Sequence, residues 1–162
     1  MKNKNLSFMT QAAMIAAIYV VLTYIFAPFS FGEVQVRISE ALTILPIFTP
    51  AAIPGLFVGC LIGNILGGAI LPDIVFGSIA TLIGAFFTWK LREQKPVVAT
   101  FPPIISNIII VPFVLRYGYG VTLPIPFMML TVGMGEVISC TVLGLIVYGA
   151  LKKYKSTLFR TA

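Results

Sequence analysis

Apolar residues run through this chain in long blocks, broken by short clusters of polar residues, proline and glycine. The blocks cover residues 6–28, 38–52, 53–70, 71–91, 97–117 and 123–151. None alternates apolar and polar positions as a half-buried strand does, so the pattern predicts helices. The second block contains Pro46 and Pro50, which predicts a short or broken helix. The third carries Gly55, Gly59, Gly63, Gly67 and Gly68, and glycines four apart let helices approach closely. Pro72 fits the first turn of the fourth.

Composition sets the solvent. Of 162 residues, 59% are hydrophobic and 10% charged, against about 25% charged in soluble domains. Mean hydropathy is +1.03. A bilayer core about 30 Å thick takes about 20 apolar residues per helix. The expected fold is therefore an all-α membrane protein, a six-transmembrane-helix bundle formed as one domain over 1–162. The basic start is followed by no small-residue cleavage site, so the first block reads as a retained span rather than a signal peptide.

Charge orients that bundle. Lys2 and Lys4 precede the first block; Lys90, Arg92 and Lys95 lie between the fourth and fifth; Lys152, Lys153, Lys155 and Arg160 follow the sixth. With six spans, nine of the 11 Lys and Arg fall on one side, which the positive-inside bias makes cytoplasmic. Both termini are expected inside, in the cell membrane. The net charge of +6 then reads as attraction to anionic inner-leaflet lipid rather than to nucleic acid.

The remaining polar residues carry the candidate chemistry. Ionisable groups within spans face the bundle interior or a cavity. The six-span arrangement gathers Glu33, Arg37, Glu40, Asp73, Arg116 and Glu136 toward the outer face, with Gln35, Asn64 and Asn107 at similar depth. It predicts a polar pocket opening outward above an apolar inner plug. Each residue also has a plainer reading: Arg37 and Glu40 as a local pair, Asp73 as a helix cap, the asparagines as interhelical hydrogen bonds. Glu136, inside an apolar helix, resists one, because a carboxylate there must be protonated, paired or bound. Cys60 and Cys140 read as packing residues, with no disulfide framework and no metal site. There is no His and no P-loop motif, so no ATP site of that kind is expected in the chain, and no enzyme activity or cofactor. In the first helix, Ala12 with Ala16 and Ala13 with Ala17 form small-x-x-x-small pairs that admit a close helix neighbour.

These stretches resemble the QueT transporter family, substrate-binding S components of energy-coupling factor (ECF) transporters for queuosine precursors. The resemblance is carried by residues 31–43, FGEVQVRISEALT, continuing through Leu45-Pro46 and TPAAIPGL at 49–56. Further matches are DIVFGS at 73–78, the Asn107 segment, and Gly133-Met134-Gly135-Glu136. The resemblance implies six helices, substrate capture on the outer side, and partnership with a membrane T component and two cytoplasmic ATPases. It implies that Ala12, Ala13, Ala16 and Ala17 face the T component. The implied ligand is a 7-deazaguanine: queuine, queuosine or an earlier base. Phe31, Glu33, Gln35, Arg37, Glu40, Asn64, Asp73, Asn107 and Glu136 are the candidate binding residues, with Phe31 or Tyr117 stacking on the ring. An S component for another small metabolite, or a stand-alone carrier relaying protons through Asp73 and Glu136, are the alternatives.

Overall fold

The computed structural model describes residues 2–27 and 36–159. These form helices throughout: α1 Lys2–Ile25, α2 Ile38–Ile47, α3 Ala52–Leu66, α4 Leu71–Lys90, α5 Pro96–Gly118, α6 Ile125–Lys152 and the short α7 Lys155–Leu158. Among the described residues, four helices are long and apolar enough to cross a membrane: α1, α4, α5 and α6. Their outward faces carry exposed Met14, Phe76, Ile105, Ile109, Leu130 and Ile146. Such faces suit lipid contact.

The helices α2 and α3 are shorter than the blocks that encode them. The first is a 3-10 helix of 10 residues, an unusual length for that geometry. Pro46 has no N–H to give to an α-type bond, and the Thr43 hydroxyl donates to the Glu40 carbonyl at 2.6 Å. Its residues from Ser39 to Pro46 are buried, so it threads the middle of the bundle. The helix α3 was expected to reach Ile70 but stops at Leu66. Gly67 and Gly68 close it, with Gly68 at φ +76 and the Ala69 N–H donating to the Asn64 carbonyl at 2.9 Å. Its 15 residues span only about 22 Å.

The glycine ridge of α3 seats α1. A Cβ on Gly55 would lie 2.7 Å from the Ala12 carbonyl oxygen, and one on Gly59 would lie 2.8 Å from Tyr19 Cβ. Nothing larger than glycine fits without moving a backbone. Opposite, α4 and α5 meet where Gly84 faces Pro103. Ile15, Tyr19, Leu42, Leu45, Leu56 and Ala85 pack with Phe48 into the main core. Phe48 is sandwiched by Tyr148 and Phe159, with ring centroids 5.3 and 5.4 Å away. This apolar mass lies toward the end of the bundle that carries Lys152 and Lys155.

The helix α5 ends in a π-helical stretch, Val114–Gly118, and α6 is interrupted by another, Val137–Leu143. The second begins directly after Glu136. Such bulges turn side chains off the regular helix face and are frequent at functional sites.

Candidate functional site

The central 3-10 helix brings two charged side chains into the bundle. Arg37, in an extended conformation just before it, reaches α4. Its Nη2 lies 3.3 Å from Asp73 Oδ2 and 3.4 Å from Oδ1, with both side chains at 5% exposure or less. Asp73 therefore forms an ion pair with Arg37 rather than capping α4, and Arg37 does not pair with Glu40 along its own helix. Two further bonds fix this end of the site. The Tyr119 hydroxyl donates to Asp73 Oδ2 at 3.1 Å and accepts from the Ile70 N–H at 3.4 Å. Asn64 Nδ2 donates to the Asp73 carbonyl at 3.3 Å, linking α3 to α4. Partial burial, and then the charge of Asp73, push the Tyr119 phenol up, so it remains a donor at neutral pH.

One turn further along α2 is Glu40, fully buried. The Tyr19 hydroxyl donates to its Oε1 at 2.5 Å, and Thr81 Oγ1 lies 3.4 Å from the same oxygen. The other oxygen, Oε2, is buried and has no hydrogen-bond partner among the described residues. Across from it stands Glu136, 3% exposed. The Cys140 thiol, one helical turn on, donates to Glu136 Oε2 at 3.2 Å, and the buried Asn107 side chain stands beside this carboxyl. Ligand atoms of Glu40, Glu136 and Cys140 all lie within 4.8 Å of one another. Two buried carboxyl groups so close repel unless donors stand between them. Three acceptor-capable atoms at this spacing can surround one cation or one donor nitrogen.

Arg37, Glu40, Asn64, Asp73, Asn107 and Glu136 are all buried, at 4% exposure or less, and converge from α2 to α6. Phe31, Glu33 and Gln35 lie outside the described residues. Arg116 does not join the cluster: it is exposed and donates to the Val121 carbonyl at 3.2 Å. Tyr117, a stacking candidate, is 78% exposed and stacks on Phe113 instead. The alanine pairs divide. Ala16 is buried against Gly59 of α3 and Ala12 is half-buried against Gly55, whereas Ala13 and Ala17 are exposed.

The candidate list omitted Tyr19, Thr81, Tyr119 and Cys140. Cys140 stands four residues after Glu136, which places it on the same helix face, and that spacing was the available signal. Tyr19 likewise puts a phenol that needs a partner inside an apolar helix.

A family model described as QueT transporter matches residues 9–153. The chain belongs to the QueT transporter family. A curated relative, the queuosine precursor transporter QueT of Lactococcus lactis subsp. cremoris (strain MG1363), is 33% identical over 84 residues, which make up 51% of this chain and 48% of that protein. The chain thus matches about half the length of that relative. No solved structure matches it. Family membership and the four candidate spans make this QueT-family chain a multi-pass helical membrane protein. The cluster around Glu40 and Glu136 is its densest group of buried ionisable side chains among the described residues.

Proposed function

We propose that the chain is the substrate-binding S component of an ECF-type importer, and that it captures a queuosine precursor of the 7-deazaguanine class in the cluster around Glu40 and Glu136. The observation that carries this reading is a buried set of acceptors and donors in an otherwise apolar bundle of a QueT-family chain. Groups of this kind are expensive in a membrane unless a ligand or one another satisfies them. A guanine-like edge offers its N1–H and exocyclic amine as adjacent donors. Glu136 is placed to accept them, and Asn107, beside it, to donate to the ring carbonyl. Bonds between a carboxylate and such donors are the strong ones. Arg37, Asn64 and Asp73 form the far wall.

In this reading α2 and α3 complete a six-span bundle with both termini cytoplasmic, held in the cell membrane as a single domain. The chain does no chemistry on its cargo. A membrane T component and two cytoplasmic ATPases supply the energy, and the exposed Ala13 and Ala17 of α1 form the T-component face. Ala12 and Ala16 serve the chain's own α1–α3 contact. Radiolabelled 7-aminomethyl-7-deazaguanine, its 7-cyano counterpart and queuine test the proposal, supplied to cells unable to make them. Uptake of at least one, only when the chain is expressed together with the T component and ATPases, supports the reading. Uptake by the chain alone would favour a stand-alone carrier, and uptake of none would reject the substrate class.

A further inference from the structure

Asp73 has its cation in Arg37 and a donor in Tyr119. The two other buried carboxyl groups, Glu40 and Glu136, face each other across the center with their ligand atoms within 4.8 Å. Each is held by protein donors from its own side: Tyr19 binds Oε1 of Glu40, and the Cys140 thiol binds Oε2 of Glu136. A carboxylate oxygen has capacity for more than one donor. The Oε2 atom of Glu40 has none among the described residues, although the side chain is fully buried. Buried acceptors are satisfied in all but a few cases, so this atom points to a donor from outside the described residues.

The proximity narrows what that donor is. A planar amino group directs its two N–H bonds 120° apart, so with bonds about 2.8 Å long it reaches acceptors up to about 4.8 Å from each other, and the ligand atoms of Glu40 and Glu136 lie within that reach. A metal ion suits the set less well, because ligation would require the thiol proton that Cys140 gives to Glu136 to be removed. Resting on the function proposed above, we infer that Glu40 and Glu136 together grip one ligand nitrogen bearing two N–H bonds, the exocyclic 2-amino group of the ring. Glu40 is then a specificity residue: it reads the second N–H of that group, while Glu136 accepts the first together with N1–H. A ring without the amine leaves Glu40 Oε2 facing nothing, and sites built around a buried polar partner reject ligands that lack it.

The test is calorimetric titration of the full chain in detergent. The probes are 7-aminomethyl- and 7-cyano-7-deazaguanine, each paired with its 2-deamino counterpart. The amino member of a pair should bind at least about a hundredfold tighter. Glu40→Gln should shrink that ratio below about tenfold. Tyr19 donates to Oε1, which turns the Gln amide nitrogen toward the ligand amine and sets donor against donor. Glu136→Gln should shrink the ratio as well, and serves if Glu40→Gln does not fold. Affinities within threefold for the two members of a pair in the wild type would overturn the inference while leaving the uptake function intact. So would an unchanged ratio in a folded Glu40→Gln variant. Silence toward all four probes by a folded chain would overturn both.

Discussion

The Tyr19–Glu40 hydrogen bond is the shortest side-chain contact that anchors the site, and its removal has a size that the structure sets. Tyr19 is 1% exposed and Glu40 0%, so no water replaces the phenol in Tyr19→Phe. Among the described residues the carboxyl would keep only Thr81, at 3.4 Å from Oε1. Thr81 also has the Gly77 carbonyl as an acceptor for its single hydroxyl proton, at 3.1 Å. Hydrogen bonds to charged groups contribute about 1.5–3 kcal/mol in water-soluble proteins, and interhelical ones in membranes average about 0.6 with a maximum near 1.7. Full burial and the 2.5 Å length place this bond at the upper end of the membrane range. Tyr19→Phe should therefore destabilise the chain by about 1.5 kcal/mol, while removing one oxygen and no packing volume. The readout is reversible unfolding in mixed detergent micelles, followed by the fluorescence of Trp89, the only tryptophan. Stability within about 0.3 kcal/mol of wild type would refute the view that α1 locks Glu40 in place, since even an average membrane hydrogen bond exceeds that.

Other outcomes follow from the same geometry. Asp73→Asn removes the carboxylate 3.3 Å from the buried Arg37 Nη2 and should destabilise by about 3 kcal/mol; stability within about 0.5 kcal/mol of wild type in the same unfolding assay would mean that this ion pair does not hold α2 to α4. Ala13→Trp combined with Ala17→Trp should leave ligand affinity unchanged and abolish ATP-driven uptake, whereas Ala16→Trp should lower stability itself, because it drives an indole into the α1–α3 seam at Gly59. Equal effects of the two sets on stability would remove the distinction between the two faces of α1. Single cysteines introduced as Asn5→Cys and Ser156→Cys should both react with an impermeant maleimide only in inside-out vesicles; reaction of one from the outside would exclude an even number of spans.

The sequence was informative where a single physical rule dominated. Long apolar blocks located α1, α4, α5 and α6 to within a few residues, because lipid permits little else. The cost of ionisable groups in such blocks also pointed to burial of Glu40, Asp73 and Glu136, whereas Arg116, gathered with them by the same reasoning, is exposed at the end of α5. The partners of those groups were less legible. Arg37 and Glu40 are three apart, and local spacing suggested that they pair; the 3-10 geometry of α2 and the turn at Gly67-Gly68 instead bring Asp73 to Arg37 and Tyr19 to Glu40. These are contacts across 36 and 21 positions of the chain, which no local pattern encodes. The alanine stripe was similarly ambiguous. Its spacing reveals that helices approach, and only the position of the α3 glycines shows which alanines are already occupied.

Equilibrium binding to the purified full chain is the most direct measurement of whether Glu136 and its neighbours form a receptor for a 7-deazaguanine. Titrating wild type and Glu136→Gln with 7-aminomethyl-7-deazaguanine, the 7-cyano base and queuine should give tight binding of at least one to the wild type and at least about a tenfold weaker affinity in the variant, a loss of about 1.4 kcal/mol or more. Wild-type affinity retained by Glu136→Gln would place the ligand elsewhere in the bundle.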